Sequence, residues 1–198
     1  MKKLLILALT IFCIAETAAA EGPCIIPGRG RFLIHVGTAG LFGTFAHNHV
    51  VQAEKISGCA TIDSNNSTHS AIKLEFPTAG LRVIDPKASE KDRAEIQNTM
   101  ETQVLRISEF PVVTFESTAI DSAEARERFR VHGNLIIRGV SQSALIPVTL
   151  THLPDGTYRA TGQYKFNQTS FGIKPIQLAA GTVKVKDELQ VEFELFLK

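Results

Sequence analysis

The residues best suited to do chemistry are His47-Asn48-His49. On a strand, residues two apart face the same way, so both imidazoles can meet one metal ion or one anionic head group. His35 or His132 can join them if neighbouring strands bring them close. No Cys, Asp or Glu adjoins the pair. No metal site is assigned, and a polar turn competes with a metal or haem role for His47 and His49. Lys184 and Lys186 can attract a pyrophosphate, or serve as solvated charges that discourage edge-to-edge association. Catalysis has little to work with. Ser141 and Ser170-Phe171-Gly172 lack a G-x-S-x-G context, and no glycosidase-like acidic pair, P-loop or dinucleotide fingerprint occurs. No catalytic residue and no enzyme activity are expected.

The chain that must position these residues begins with Met1-Lys2-Lys3, an apolar run from Leu4 to Ile14, and Ala18-Ala19-Ala20. That layout predicts a cleavable signal peptide over residues 1–20, with one domain over 21–198 exported to the periplasm. The apolar run is too short for a stable membrane anchor, and no other stretch approaches a span. The full chain carries 21 basic and 20 acidic residues. Removing two lysines and one glutamate with the signal leaves the domain balanced, which argues against a nucleic-acid partner. Cys24 and Cys59 remain, and in an oxidising compartment they either form a bridge or stay as two separate thiols.

Period-two alternation dominates the domain. After an irregular lead-in around Gly22 to Gly30, Phe32, Ile34 and Val36 share a face, and Leu41 to Phe45 reads as a short strand. Ile72, Leu74 and Phe76 follow, then Val113 and Phe115, then Phe129, Val131, Gly133, Leu135 and Ile137. Ile146, Val148 and Leu150 precede the Asp155-Gly156 turn, with Tyr158, Ala160, Gly162, Tyr164 and Phe166 beyond it. Residues 182–186 and 189–197 alternate as a C-terminal hairpin with Asp187 at its turn. One segment differs. From Ser89, with Asp92 three residues on, Ile96, Met100, Val104 and Ile107 recur at helical spacing, with Lys91, Glu95, Gln97, Asn98 and Thr102 opposite. Eight or more antiparallel strands with one amphipathic helix favour a closed all-β barrel, because closure removes exposed edges. Glycine and alanine among the large residues, at Gly133, Ala160 and Gly162, are expected to leave room inside.

Several stretches taken together resemble one family. Glu109-Phe110-Pro111-x-x-Thr114-Phe115-x-Ser117-Thr118, the run Val131 to Val140, and Ser170-Phe171-Gly172-Ile173 with Val185 to Leu189 are similar to motifs of the YceI-like family. So are Phe42-Gly43-Thr44-Phe45 and the run Ile56 to Asp63. The resemblance implies an eight-stranded antiparallel lipocalin-like barrel with an elongated apolar cavity. It also implies periplasmic binding of a polyisoprenoid, quinone or fatty-amide type amphiphile without chemistry. The expected ligand contacts are Phe42, Phe45, Leu74, Phe115, Leu135 and Phe171, with His47 and His49 toward a head group. The only expected cofactor-like occupant is that long-chain lipid. Further partners are limited to a second copy in a homodimer, left open. The chain departs from the family at Gly37 to Leu41, which lacks a D-x-x-H-S pattern, and at Ile96 to Val104, which replaces an R-D-x-H-L helix motif. Two alternatives stand beside the carrier: a metal- or haem-associated redox partner using His47 and His49, and an envelope-stress interaction protein with a solidly packed barrel.

Overall fold

The computed structural model describes residues 22–39, 48–61, 63, 70–123, 127–178 and 183–198. The expected signal peptide, the strand at 41–45 and His47 lie outside the described residues. The strands are β1 (Ile25–Ala39), β2 (His49–Ala53), β3 (Ser57–Thr61), β4 (Ala71–Pro77) and β5 (Leu81–Val83). Helix α1 (Glu90–Thr99) follows, then β6 (Val112–Ser122), β7 (Arg128–Ile137), β8 (Val140–His152), β9 (Tyr158–Asn167), β10 (Gln177–Leu178) and β11 (Val183–Leu197). All pair antiparallel in one sheet of order β3-β4-β6-β7-β8-β9-β11-β1-β2-β5, with β10 alongside β11.

The all-β class and the single helix are as expected, and the count of eight strands is corrected to eleven among the described residues. Two long excursions of the chain are each broken in two. Residues 54–56 separate β2 from β3, and a 3-10 turn at Thr78–Gly80 separates β4 from β5. Each half then pairs with a different neighbour: β2 with β1 and β5, β3 with β4. Thr78 holds the break. It is fully buried, its N–H donates to Pro111 O at 2.9 Å, and its Oγ1 donates to Phe110 O at 3.1 Å. Glu54 N–H donates to Gly80 O at 2.9 Å, so the last carbonyl of the turn is paired as well.

The sheet curls until its β3 end meets the segment that leads into β1. Ala60 N–H donates to Pro23 O at 2.9 Å, and Cys24 bridges Cys59 with a Cα separation of 3.9 Å. Cys24 also exchanges both backbone hydrogen bonds with Lys198, each at 2.9 Å. The lead-in expected to be irregular is therefore part of the wall: β1 starts at Ile25 and pairs there with Leu197, with a register shift before Gly30. At the other end of the sheet order, the open edge of β5 is closed by a side chain. Gln97 Oε1 accepts from Val83 N–H at 2.9 Å, and Gln97 Nε2 donates to Leu81 O at 2.8 Å. Helical spacing alone assigns Gln97 to the solvent face; the unpaired strand edge recruits it inward instead.

The helix starts where its sequence says it should, with Ser89 Oγ accepting from Asp92 N–H at 3.1 Å. It runs to Thr99 and then widens into a π-helical turn at Met100–Val104, so Ile107 falls beyond it. The C-terminal hairpin is likewise corrected to a single strand. Val36 pairs with Leu189 and Thr38 with Val185, so β11 bulges at 186–188 where a turn is expected. Asp187 sits in that bulge and accepts from Thr169 N–H at 2.8 Å and Thr169 Oγ1 at 2.6 Å.

Two tests follow from these closures. The Cys24–Cys59 bridge spans 35 residues, and the lost chain entropy of a loop that size contributes about 3–4 kcal/mol. The Cys24→Ala/Cys59→Ala double variant should lower the urea midpoint accordingly, and reductant should do the same to the wild type alone. Thr169 holds the Asp187 carboxyl below its ordinary value of 3.8 through its hydroxyl and N–H bonds. The Asp187–Thr169 contact is thus fully stabilising above pH 3.8 and is lost as pH falls below it. Asp187→Asn should melt below wild type at pH 7, and thermal scans at pH 3 should show the difference narrowing.

Candidate ligand-binding site

The alternating apolar residues face inward around a cavity of about 1220 Å³. Its wall includes Phe32, Ile34 and Val36 from β1, Phe129, Val131, Leu135 and Ile137 from β7, and Ile146, Val148 and Leu150 from β8. From β11 it includes Val185, Leu189, Val191, Phe193, Leu195 and Leu197. That volume exceeds the roughly 300–1,000 Å³ of sites for drug-sized ligands. At about 3.3 Å per residue and a tilt near 40°, the wall from Val185 to Leu197 gives an interior roughly 30 Å long. A solidly packed barrel, one of the alternatives, does not hold.

Room inside does not come from the glycines. A Cβ at Gly133 would lie 2.5 Å from the Phe115 ring, and one at Gly162 would lie 2.5 Å from the Phe193 ring. Those rings lie over the glycine backbones and fill the space a side chain would occupy. Ala160 does line the cavity. Aromatic rings pack along the wall, as between register partners Phe32 and Phe193, 6.1 Å apart, and the centre stays open.

The two ends of the cavity are polar. Toward β3 and the ends of β6 and β8 it is bordered by Asp63, Ser70, Ser122, Glu127 and His152. Toward α1 it is bordered by Thr38, His49, Lys87, Asp92, Glu95 and Thr99. His49 pairs in register with Val36, which turns its ring to the interior. Its Nδ1 lies 3.0 Å from Oδ2 of Asp85, a side chain only 2% exposed. Asp85 Oδ1 in turn accepts from Lys87 N–H at 2.9 Å. Between the ends, burial pushes the Tyr164 phenol up, so it stands in the wall as a neutral hydroxyl.

Of the expected contact residues, His49, Leu74, Phe115 and Leu135 line the cavity. Phe171 does not. It is 2% exposed and packs edge-on to Phe166 at 5.4 Å, behind Ile137 and Ile173, which cluster with it and themselves line the cavity. Its 3-10 turn is held from several sides: Gln168 Nε2 donates to Lys186 O at 2.8 Å, and Gly172 takes a left-handed φ of +67°. Phe42, Phe45 and His47 lie outside the described residues. His35 and His132 do not join His49. They face outward, His35 beside Glu192 at 3.8 Å and His132 against Asp121 at 3.0 Å. Among the described residues no three of His, Cys, Asp and Glu gather to hold a metal ion. Lys184 and Lys186 are exposed and absent from the lining. Asp85 escapes a motif search because its partner is 36 residues away; the local signal is its two-residue reach to Lys87, a turn typical of aspartate.

Solved structures share this architecture. The chain is similar to BcnA of Burkholderia cenocepacia, with 16% identity and a TM-score of 0.68 over 87% of this chain and 98% of that one. It is also similar to a polyisoprenoid binding domain from Saccharophagus degradans, with 10% identity and a TM-score of 0.67 over 90% and 98% of the two chains. A Campylobacter jejuni YCEI protein matches with 14% identity and a TM-score of 0.54 over 75% and 84%. At these identities the likeness is one of fold. No curated protein matches the sequence. The residue pattern of the YceI-like domain matches residues 34–197, and the chain therefore belongs to the YceI-like family.

Proposed function

We propose that this protein is an exported, non-catalytic carrier that shelters the tail of a long-chain amphiphile, of polyisoprenoid, quinone or fatty-amide type, inside its β-wall. The observation that carries it is the elongated apolar cavity of about 1220 Å³. A cavity of that size, left empty of protein side chains, favours an apolar occupant. Each buried methylene contributes roughly 0.8 kcal/mol. A five-carbon isoprene unit then contributes on the order of 3–4 kcal/mol before ordering costs, and a few units suffice for micromolar affinity. Membership in a family whose fold is shared by a polyisoprenoid binding domain supports the same choice. Export rests on the Met1 to Ala20 layout and on the Cys24–Cys59 bridge, which suits an oxidising compartment. No described helix is long and apolar enough to cross a membrane.

A hydrolase reading finds less to stand on. His49 and Asp85 resemble the base and orienting group of a catalytic triad, but the lining serines, Ser70 and Ser122, border the opposite end of the cavity. A redox role for His49 lacks the companion ligands expected from His35 and His132.

Solvent extraction and native mass spectrometry of the purified protein should recover a long-chain amphiphile at about one per chain. Ala160→Phe, which puts a ring into the lumen, should release it while shifting the melting temperature little. Preparations that come out empty and ignore added polyprenols and quinones would overturn the carrier role.

A further inference from the structure

The cavity's charged border bears on what kind of head group it can accept. At the α1 end, Asp92 and Glu95 line the opening with Lys87. Lys87 is the one Lys or Arg among all the described lining residues, which also include Asp63 and Glu127. Neighbouring cations are engaged elsewhere or turned out: Arg93 Nη1 donates to Ala88 O at 2.6 Å and Asp85 O at 3.3 Å, and Lys174, Lys184 and Lys186 are exposed outside the lining. The N-terminus of α1 attracts anions in principle. Here Ser89 already caps it, and Glu90 and Asp92 occupy its first turn.

A diphosphate would therefore enter past two carboxylates with a single lysine to meet it. Phosphate recognition ordinarily relies on clustered Arg and Lys or on vacant backbone N–H groups, and like charges held close oppose binding. What this end does offer is an imidazole. Its Nδ1 is fixed on buried Asp85, which leaves Nε2 as the nitrogen available to a ligand. A hydroxyl suits Nε2 in either state of the ring, donating to it when the imidazole is neutral and accepting from it when protonated.

Resting on the carrier reading, we infer that the His49–Asp85 end of the cavity selects an uncharged hydrogen-bonding head group, a hydroxyl in its simplest form, and rejects phosphorylated ones. The Asp85 contact positions the imidazole, His49 Nε2 meets the head group, and Asp92 and Glu95 repel anionic competitors.

Delipidated full-length mature protein can be titrated with three prenyl compounds of equal length: the alcohol, the pyrophosphate and the unsubstituted hydrocarbon. Displacement of a fluorescent fatty probe at low salt gives the affinities. The alcohol should bind at least tenfold tighter than the pyrophosphate. Asp92→Asn/Glu95→Gln should shrink that ratio to within threefold, and His49→Ala should weaken the alcohol about five- to tenfold without changing the hydrocarbon. If His49→Ala folds poorly, His49→Phe keeps the ring volume and should show the same selective loss. A pyrophosphate that binds as tightly as the alcohol would sink the inference and leave the carrier standing. Equal losses for alcohol and hydrocarbon would reduce His49 to a structural residue and sink it too. If none of the three binds, both the inference and the carrier fall.

Discussion

Every strand exposes N–H and C=O groups on both edges, and each needs a partner. In this protein the requirement converges on β1. It pairs with β11 along almost its whole length, with β2 near its C-terminal end, and through Cys24 and Pro23 with β3 at its start. A sheet that satisfies one strand in three directions has to curve back on itself. The interior width is then set by strand number and tilt, not by how much the inward side chains would fill. That is why an interior lined by leucine, valine, isoleucine and phenylalanine remains open instead of collapsing.

The breaks in the sheet belong to the same balance. Where β4 turns at Thr78, the freed hydrogen bonds pass to Pro111 and Phe110. Where β5 ends the sheet order, Gln97 of α1 supplies a donor and an acceptor in place of a neighbouring strand. Helix α1 thereby becomes part of the wall, and its Ile96, with Met100 of the π-helical turn that follows, faces the cavity. Among the described residues no buried side-chain nitrogen or oxygen lacks a partner. A polar atom left bare in the lumen would weaken its hold on an apolar tail; the polar lining is gathered largely at the two ends, with the neutral Tyr164 hydroxyl between them.

The motifs that carry the family likeness serve mostly as scaffold. Phe110 is flanked by the guanidinium groups of Arg106 and Arg138, 5.5 and 5.9 Å from its ring, and a Cβ at Gly139 would touch it at 3.5 Å. The Glu109-Phe110-Pro111 stretch and the β7–β8 turn are thus one contact. Phe171 likewise packs behind the wall. The His49–Asp85 pair at the end of the cavity, by contrast, belongs to no motif. Scaffold contacts recur wherever the fold recurs, whereas head-group recognition is free to differ from one chain to the next.

Local patterning suffices for the all-β class, the inward faces and the helix start at Ser89. Each of these follows from short-range periodicity or a local cap, and alternation at period two needs no knowledge of which strand lies alongside. Leu74, Phe115 and Leu135 are legible as inward-facing for the same reason, since each sits on an apolar face that one strand defines alone. Tertiary structure decided whatever depended on a distant partner. Phe115 and Phe193 fill the places of Gly133 and Gly162 across the sheet, so those glycines make no room. Asp187 reads as a turn locally but becomes a bulge because Thr169 and β1 hold the strand straight through it. Cys24 and Cys59 meet only because the sheet closes. His35 and His132 look like companions of His49 in one dimension and lie on the outer surface in three, since inward or outward is set by register against neighbours that periodicity does not name.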